Sequence, residues 1–472
     1  MTFKLLCYNE DNYYFVYTMK NKIHKKAYVV AVDMGYGHQR AAHPLQDIAT
    51  CPEFMGGECH VINANRYAGV PRSDIMKWEG GRKVYEKISR MKHLPIVGEW
   101  IFGLLNYMQR IDEFYPRRDL SKSTLQLRQI YKWIKKGWGR DLIEKLNKDP
   151  KPMITTFFTP AFFAEEHGFK DEIYCICTDT DISRAWAPLK PSESRIKYLA
   201  PNRRVKERLE LYGVKSENIF ITGFPLPKEN IGGKSLKILK QSIGARIINL
   251  DPEMRYRKKY SKTVEEFIGK EYCDKGCVAG HPLTITFAVG GAGAQRELGV
   301  EILTSLRDYI DKGKIRLNLV AGTHNDVYLY YQKHIKKLGL AKKQNGNVNI
   351  LYADSKMEYF ENFNKVLLTT DILWTKPSEL SFYAGLGMPI IMAPPIGAQE
   401  KYNRDWLLSI GAGFDQENPK YTNEWFFDWL NSGWLAEAAM EGFLDAPRNG
   451  AYHVEEVVLK GKRSEIEDLH LL

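Results

Sequence analysis

The stretch that decides the fold covers residues 370–413 and reads TDILWTKPSELSFYAGLGMPIIMAPPIGAQEKYNRDWLLSIGAG. Just before it, the apolar run Val366–Leu368 predicts a short buried strand. A helix is predicted over Glu379–Leu386, because Gly387 is a typical helix stop. The apolar run Pro389–Ala393 predicts a second strand. Strand, helix and strand in this order form a βαβ unit, which indicates a parallel sheet and an α/β fold.

Polar side chains follow both of these predicted strands. Lys376 and Glu379 come after the first strand, and Gln399, Glu400 and Asn403 come after the second. Asn403 is also expected to open a further helix. Ligands of parallel sheets bind beyond the carboxyl ends of the strands, so both clusters are candidates for ligand contact.

The same residues resemble the donor-sugar motif of GT-B glycosyltransferases of family 28. That family includes the monogalactosyldiacylglycerol synthases, the bacterial diacylglycerol glucosyltransferases and the peptidoglycan N-acetylglucosaminyltransferase. The matching residues are Asp371, Thr375-Lys376-Pro377, Gly387-Met388-Pro389, Pro395, Gln399-Glu400, Asn403 and Gly411-Ala412-Gly413. The resemblance implies a GT-B fold, in which two Rossmann-like α/β domains with parallel sheets face a central cleft.

The resemblance also implies donor-binding roles for residues of the motif. Gln399 and Glu400, with Asn403 beside them, would bind the sugar hydroxyls, and Lys376 would neutralise the donor diphosphate. The family usually has a glutamate that grips the donor ribose where this chain has Phe382. Glu379 is the nearest carboxylate and is the candidate for that role.

A glycine-containing turn follows the first predicted strand, Ala27–Val32, and reads DMGYGH over residues 33–38. Such glycines let a ligand approach backbone N–H groups, and a plain tight turn is the alternative. The turn resembles the first loop of family 28, which faces the acceptor. Gly35 and Gly37 are therefore acceptor-side candidates, and His38 is the candidate catalytic base. A packed or helix-capping histidine is the alternative.

Asp179 lies just after the predicted strand Ile173–Cys177, in the sequence TDTD. A D-x-D pair holds a metal-bound nucleotide in the GT-A fold, but this position at a βα edge matches the Thr-Asp of family 28 instead. The resemblance places Asp179 on the acceptor side, in support of His38. A helix N-cap is the alternative.

A glycine-rich turn also opens the second half, after the predicted strand Leu283–Val289. Gly290, Gly291 and Gly293 are candidates for cradling a diphosphate through backbone N–H groups. A bare strand-to-helix turn is the alternative. His324 follows another predicted strand, in a loop that the resemblance places at the border of the nucleotide.

Composition bounds the class of protein. The chain has 472 residues, 44% hydrophobic and 26% charged, which is typical of a folded protein of two or three domains. No run reaches the roughly 18 apolar residues of a membrane helix, and residues 1–17 lack the apolar core of a signal peptide. A cytoplasmic location is expected. The seven cysteines are odd in number, so no disulfide framework is expected.

Neither a metal nor another cofactor is expected. Cys273 and Cys277 have the spacing of half a zinc site, but no second Cys or His pair with suitable spacing lies nearby. The nucleotide sugar would act as a co-substrate.

Positive charge is concentrated in residues 72–146. Residues 72–145 carry 17 basic and 9 acidic side chains, and so hold +8 of the net charge of +11. Tyr131, Trp133 and Trp138 lie among these lysines and arginines. Aromatic and cationic helices of this kind dock on anionic membrane surfaces, as family 28 lipid enzymes do, which would make the protein peripheral on the inner face. An ordinary amphipathic helix pair is the alternative. No nucleic-acid module is recognisable, so no nucleic acid is expected.

The sequence divides into five segments. Residues 1–26 are an N-terminal extension, and residues 27–225 are the acceptor-side domain that includes the basic segment 72–146. Residues 226–282 are a linker with a helical insertion. Residues 283–440 are the nucleotide-sugar domain. Residues 441–472 are a tail, whose last helix is expected to return to the first domain.

The expected activity is transfer of a sugar from a nucleotide sugar to a hydroxyl acceptor, with inversion. The resemblance implies a UDP-sugar and makes a lipid one candidate acceptor. One alternative is a sugar-nucleotide epimerase or hydrolase, for which the sequence lacks the several carboxylates such a site needs. Another is a non-catalytic GT-B binding protein, which Phe382 favours. A dinucleotide oxidoreductase is disfavoured, because neither glycine turn completes G-x-G-x-x-G with an acidic residue about 20 positions on.

Overall fold

The computed structural model describes residues 26–56, 61–80, 110–274, 276, 278–288, 295–395 and 397–461. Within these residues the chain forms two parallel sheets of six strands each. Helices pack around both sheets. The predicted fold class, an α/β protein of GT-B type with two Rossmann-like sheets, is confirmed.

The first sheet has the strand order β2-β1-β3-β4-β5-β6, and each neighbouring pair is parallel. The strand order reverses between β1 and β3. Its strands are β1 (Tyr28–Ala31), β2 (Ile62–Asn63), β3 (Met153–Thr155), β4 (Ile173–Ile176), β5 (Lys197–Ala200) and β6 (Ile219–Ile221).

The second sheet has the order β12-β11-β10-β7-β8-β9, again parallel throughout. The chain runs outward from β7 to β9, then returns to β10 on the other side, which is the order of dinucleotide-binding Rossmann folds. Its strands are β7 (Leu283–Ala288), β8 (Ile315–Gly322), β9 (Val348–Tyr352), β10 (Ile372–Thr375), β11 (Ile390–Met392) and β12 (Gly413–Asp415).

Most helices follow the strands as crossover connections. We call the part of the molecule built on the first sheet the first half and the part built on the second sheet the second half. In the first half the helices are α1 (Gly37–Ala42), α2 (Leu125–Lys135), α3 (Arg140–Leu146), α4 (Phe158–Glu166) and α5 (Arg203–Leu211). Between the sheets lie α6 (Lys228–Ile231), α7 (Lys237–Leu250), α8 (Arg255–Lys259) and α9 (Ser261–Phe267). The second half has α10 (Arg296–Ser305), α11 (Arg307–Asp311), α12 (Asn325–Lys337), α13 (Lys356–Leu367), α14 (Ala398–Ser409), α15 (Thr422–Ser432), α16 (Trp434–Asp445) and α17 (Gly450–Lys460).

The predicted strand at Val366–Leu368 is wrong. Residues 366 and 367 end helix α13, and the strand of this unit is β10. The Ser355 side chain caps the helix by accepting a hydrogen bond from the Glu358 N–H at 3.2 Å. Buried side chains then recur at helical spacing through the segment: Tyr359, Phe360, Phe363 and Leu367. A short apolar run does not by itself distinguish a helix end from a strand.

The prediction that Asn403 opens a helix is also wrong. Helix α14 begins at Ala398, and the Glu400 carboxylate accepts a hydrogen bond from the Gly397 N–H at 3.3 Å. A carboxylate three residues into a helix commonly caps its start in this way. Asn403 therefore lies in the middle of the helix, on a buried face.

Among the described residues of the basic segment, most aromatic side chains belong to the core rather than to the surface. Tyr131 and Trp138 are buried, and Trp133 is 36% exposed on α2. Residues 81–109 of the basic segment lie outside the described residues. Within the described part of the chain, no helix combines the length and apolarity needed to cross a membrane.

Helix α17 lies against the first sheet, although it follows the second half in sequence. His453 Nδ1 lies 2.9 Å from the carbonyl oxygen of Thr222, just after β6. The apolar face of α17 packs on side chains of the first sheet, in one buried cluster that includes Val29, Ala31, Ile154, Ile176, Leu199, Ala451, Val454, Val457 and Val458. The chain therefore crosses between the two sheets twice.

A buried arginine fixes the inserted helix α7 to the second sheet. Arg246 donates hydrogen bonds to the carbonyl oxygens of Thr370 at 2.7 Å, Leu386 at 2.7 Å, Gly387 at 3.0 Å and Leu367 at 3.3 Å. Burial lowers the pKa of Arg246 to about 10, and the nearby Asp371 opposes that shift. The guanidinium thus donates to carbonyl oxygens at and just after the end of α13 and at the end of the 3-10 helix Glu379–Leu386. Carbonyl groups at helix ends need donors from outside the helix.

Replacing Arg246 by Met should lower the free energy of unfolding by about 3–5 kcal/mol, because several buried carbonyl oxygens lose their donor. Urea denaturation followed by circular dichroism measures the change. The matched control is Lys237→Met, an exposed lysine on the same helix. Equal stability of the two variants would show that Arg246 does not hold the insertion in place.

Candidate active site

Two of the polar residues predicted to carry function, His38 and Lys376, lie where the strand order of a sheet reverses. In the first sheet His38 follows β1, and Thr156, which was not predicted, follows the neighbouring strand β3. In the second sheet, Lys376 follows β10, the neighbour of β7. Ligands of doubly wound sheets bind at this position, so the topology alone marks a cleft for ligand binding.

His38 is held in one tautomer by the first sheet. Its Nδ1 lies 2.8 Å from the Thr156 carbonyl oxygen, while the Thr156 hydroxyl donates back to the His38 carbonyl at 2.8 Å. A carbonyl oxygen only accepts, so Nδ1 carries the proton and Nε2 keeps its lone pair. The ring packs against Phe157, with centroids 4.7 Å apart.

His38 is neutral near pH 7. Burial lowers its pKa to about 4, although the hydrogen bond to Thr156 and the charge of Glu379 oppose the shift. The imidazole is therefore fixed in position and unprotonated, as a general base must be before it accepts a proton.

Asp179 and Asn403 join the two halves of the molecule. The Asn403 amide nitrogen donates to Asp179 Oδ1 at 3.0 Å and to the Pro377 carbonyl at 3.4 Å. The Asn403 amide oxygen accepts from both the backbone N–H and the hydroxyl of Thr180, each at 2.9 Å. In this state the asparagine expected to contact the donor sugar instead connects α14 to the loop after β4.

The Asp179 carboxyl lies among other charged groups of the cleft. Burial raises its pKa to about 6, the hydrogen bond from Asn403 lowers it, and the charges of Glu379 and Glu400 raise it further. The structure thus brings three predicted carboxylates from three separate segments into one electrostatic neighbourhood.

Lys376 and Glu400 form an ion pair. Glu400 also accepts from the Gly397 N–H, so its carboxylate serves the start of α14 as well as Lys376. Lys376 lies at the carboxyl end of β10, where it is in place for an anionic group. The Gln399 side chain lies near Gly397, partly exposed.

Glu379 points into the first half of the molecule. Its Oε1 accepts a hydrogen bond from Arg40 Nε at 3.3 Å. Its Oε2 lies 3.0 Å from the place that a Cβ on Gly37 would occupy. Gly37 therefore allows the close approach of a protein carboxylate. The same carboxylate was expected to bind the donor ribose, and that role remains a proposal.

Phe382, at the position of the ribose-binding glutamate of family 28, is buried. Its ring stacks on Phe224 with centroids 4.7 Å apart and planes 8° apart, and also contacts Trp406. The side chain is 1% exposed, so it packs the junction between the halves and leaves no polar group there.

Tyr36 extends from the first loop to the carboxyl end of β8. Its hydroxyl accepts a hydrogen bond from the Thr323 N–H at 2.8 Å and lies 3.0 Å from the Thr323 hydroxyl. A side chain at Gly322 would overlap that hydroxyl, and Gly322 has a φ of +64°. The predicted nucleotide-border residue His324 has its ring centroid 6.2 Å from that of Tyr36.

The structure brings together His38, Asp179, Lys376, Glu379, Glu400 and Asn403. Gly290, Gly291 and Gly293 lie outside the described residues. Gly35 has a φ of +121°, which favours glycine, and a Cβ placed on it would have no described atom within 4 Å. Within the described residues, no group of three or more His, Cys, Asp or Glu side chains is placed to hold a metal ion.

Two residues of the first loop, Tyr36 and Arg40, contribute to the site although sequence reasoning did not single them out. Arg40 and Tyr36 lie four positions apart, around His38, which is the spacing of one helix face. That spacing was visible in the sequence, but their partners are about 300 residues away along the chain.

Comparison with known proteins gives no family for the whole chain. A family model described as a domain of unknown function (DUF6938) matches residues 274–348. No curated protein matches the chain.

Solved structures are similar at low identity. They include S. aureus MnaA with UDP, at 11% identity and a TM-score of 0.44, covering 93% of this chain and 97% of that chain. Acinetobacter baumannii MurG has 13% identity and a TM-score of 0.42, with 92% and 99% covered. A glycosyltransferase from Rickettsia africae ESF-5 has 13% identity and a TM-score of 0.38, with 93% and 100% covered. TM-scores below 0.5 assign neither a family nor a function, so the fold class rests on the two sheets and their strand order.

Proposed function

We propose that the protein is a glycosyltransferase that moves a sugar from a nucleotide sugar, in its uridine form, to a hydroxyl acceptor with inversion. The observation that carries the proposal is the state of His38. It is neutral, held through Nδ1 by the Thr156 carbonyl, and located at the switch point of the first sheet. A base in this position takes the proton of an acceptor hydroxyl as the hydroxyl attacks the anomeric carbon.

The donor side of the proposal rests on Lys376 and the residues near it. Lys376 follows β10 at the reversal point of the second sheet, where its charge would offset the negative charge that builds on a leaving diphosphate. Gly290, Gly291 and Gly293 are proposed to hold the same diphosphate through backbone N–H groups. Gln399 and Glu400, with Asn403 after the opening of its interdomain bonds, are proposed to contact the sugar.

A second candidate, a sugar-nucleotide epimerase or hydrolase, gains support from the carboxylates of the cleft. Glu379 and Glu400 both act electrostatically on Asp179, which precedes them by about 200 residues in the sequence. Carboxylates near a sugar ring can remove and return a proton or activate water. No local sequence pattern indicated that Asp179 lies near these two glutamates.

The first test is product analysis of the purified protein with UDP-sugars and hydroxyl acceptors, for wild type and His38→Ala. The proposal expects a new glycoside from wild type and a loss of turnover of roughly 10²–10⁴-fold in the variant, because the base is removed. UDP affinity by calorimetry should stay within about threefold, since His38 belongs to the acceptor side.

The products decide between the candidates. An epimerised sugar nucleotide, or free sugar without any glycoside, would move the assignment to the second candidate. Absence of UDP binding would rule out the proposed donor site. The remaining assignment would be a non-catalytic binding protein, which the buried Phe382 favours.

A second test uses the pH dependence of the rate. Asp179 acts as a carboxylate in the proposal, so the rate should fall as the pH drops through about 6, the pKa to which burial raises it. The hydrogen bond from Asn403 stabilises the carboxylate, so Asn403→Ala should move this acid limb to higher pH. Lys401→Ala, an exposed position on the same helix, is the control. If the acid limb of the pH profile is identical in wild type, Asn403→Ala and Lys401→Ala, Asp179 does not control the rate.

We also propose that the acceptor is carried at an anionic membrane surface, which α2 would contact. Leu125 is 81% exposed and Trp133 36% exposed on this helix, and Lys132 and Lys135 are exposed beside them. Apolar and cationic groups on one face allow contact with lipid headgroups and the upper acyl region.

Sedimentation with vesicles tests the membrane contact. Binding to vesicles with anionic lipid should fall by about 30-fold or more in the double variant Lys132→Glu and Lys135→Glu, because each lysine near the surface contributes about 1 kcal/mol. The control carries Lys336→Glu and Lys337→Glu, exposed lysines on α12 of the second half. Equal sedimentation of wild type and both variants would exclude α2 as the contact.

A further inference from the structure

Helix α1, which carries His38, and the residue before it present side chains with different contacts on two faces. Tyr36 and Arg40 lie one turn apart, and the Arg40 N–H donates to the Tyr36 carbonyl at 2.7 Å. Both side chains extend into the second half, whereas His38, between them in sequence, extends toward the Thr156 carbonyl of the first sheet. Residues four apart on a helix share a face, and a residue midway between them faces the other way.

The Arg40 guanidinium is enclosed by groups of the second half. Nη2 donates to the Tyr359 hydroxyl at 2.9 Å, and Nε donates to Glu379 Oε1 at 3.3 Å. Its Cζ lies 4.4 Å from the ring centroid of Phe363, and the rings of Tyr359, Phe360 and Tyr383 lie within 5.2–6.0 Å. We name these four rings and Glu379 the arginine box.

The buried positive charge of Arg40 needs partners that compensate for its loss of hydration. Arg40 is 3% exposed, and transferring an unpaired guanidinium from water to such a site is costly. The carboxylate of Glu379 and the faces of the aromatic rings compensate for that loss of hydration. Every member of the box comes from residues 359–383, so Arg40 is buried only when the two halves are closed on each other.

We propose that Arg40 is a positioning residue for His38. Through its contacts with the arginine box, Arg40 fixes helix α1 against the second half. The imidazole of His38 is thereby held at a constant distance from the donor side of the cleft. This inference rests on the proposed function for the role of His38 as base. The placement of the imidazole itself does not depend on which reaction follows.

The test variant is Arg40→Met, which keeps a long apolar side chain but removes the charge and its donors. Tyr359→Phe is the milder second variant, because it removes only the hydroxyl that accepts from Nη2. Arg66→Met is the control. Arg66 belongs to the neighbouring loop and forms an exposed ion pair with Asp33 at 3.3 Å.

The readout independent of activity is the titration of His38 by nuclear magnetic resonance of ¹³C-labelled histidine. The signal is identified by its absence in His38→Gln. In wild type the imidazole should stay neutral down to a pH of about 4, because burial lowers its pKa. Loss of the arginine box separates α1 from the second half and admits water to the cleft side of the ring, while the contacts with Thr156 and Phe157 remain. In Arg40→Met the titration should therefore move from about 4 toward the ordinary histidine pKa of about 6.5. Tyr359→Phe should move it less, and Arg66→Met should leave it at the wild-type value.

The kinetic readout applies once a substrate is in hand. Arg40→Met should lower kcat by roughly 10–100-fold through misplacement of the base. KM for the donor should change less than kcat, and by an amount that reports the effect on Glu379, the partner of Arg40. A positioning role therefore predicts that the loss falls mainly on kcat.

The outcomes separate the two proposals. An unchanged His38 titration in Arg40→Met overturns the inference, whatever the activity. If that variant does not fold, an unchanged titration in Tyr359→Phe overturns it equally. A shifted titration in a protein that turns over no nucleotide sugar keeps the positioning role and removes the proposed function.

Discussion

Both parallel sheets present the carboxyl ends of their strands to one cleft, and this constraint places every polar residue of the candidate site. The loops after β1, β3 and β4 supply His38, Thr156 and Asp179. The loop after β10 supplies Lys376. Because parallel strands need crossover helices, these loops cannot lie at opposite ends of a sheet. Strand direction therefore brings these side chains together in the cleft, and the chemistry of each side chain acts within that arrangement.

Much of this arrangement was predictable from local sequence. The β-branched runs at Ala27–Val32 and Leu283–Val289 correspond to β1 and β7, and the predicted strand Ile173–Cys177 corresponds to β4. Buried parallel strands are short and apolar, so their signal is local. The prediction failed at Val366–Leu368, where an apolar helix end has the same composition as a strand. The positions of His38 and Asp179 followed from the strands that precede them.

The partners of those residues were not predictable. Arg40 binds Glu379 and Tyr359, which are 339 and 319 residues further along the chain. No local sequence pattern connects Arg40 to the arginine box, because the two come together only when the two halves of the molecule are in contact. The glycines show the same limit. Gly37 was expected to admit a ligand, and the group that approaches it is the carboxylate of Glu379. The sequence indicates that a group approaches Gly37 closely, but it does not reveal which group.

The return of α17 to the first sheet has a mechanical consequence. The outgoing segment at Gly223 and Phe224 and the returning segment at Pro447 and Gly450 lie side by side, so close that a Cβ at Gly223 would be 2.8 Å from Pro447. The chain therefore passes between the two halves through two adjacent segments. A single proteolytic cut in one of these segments leaves the halves covalently connected through the other.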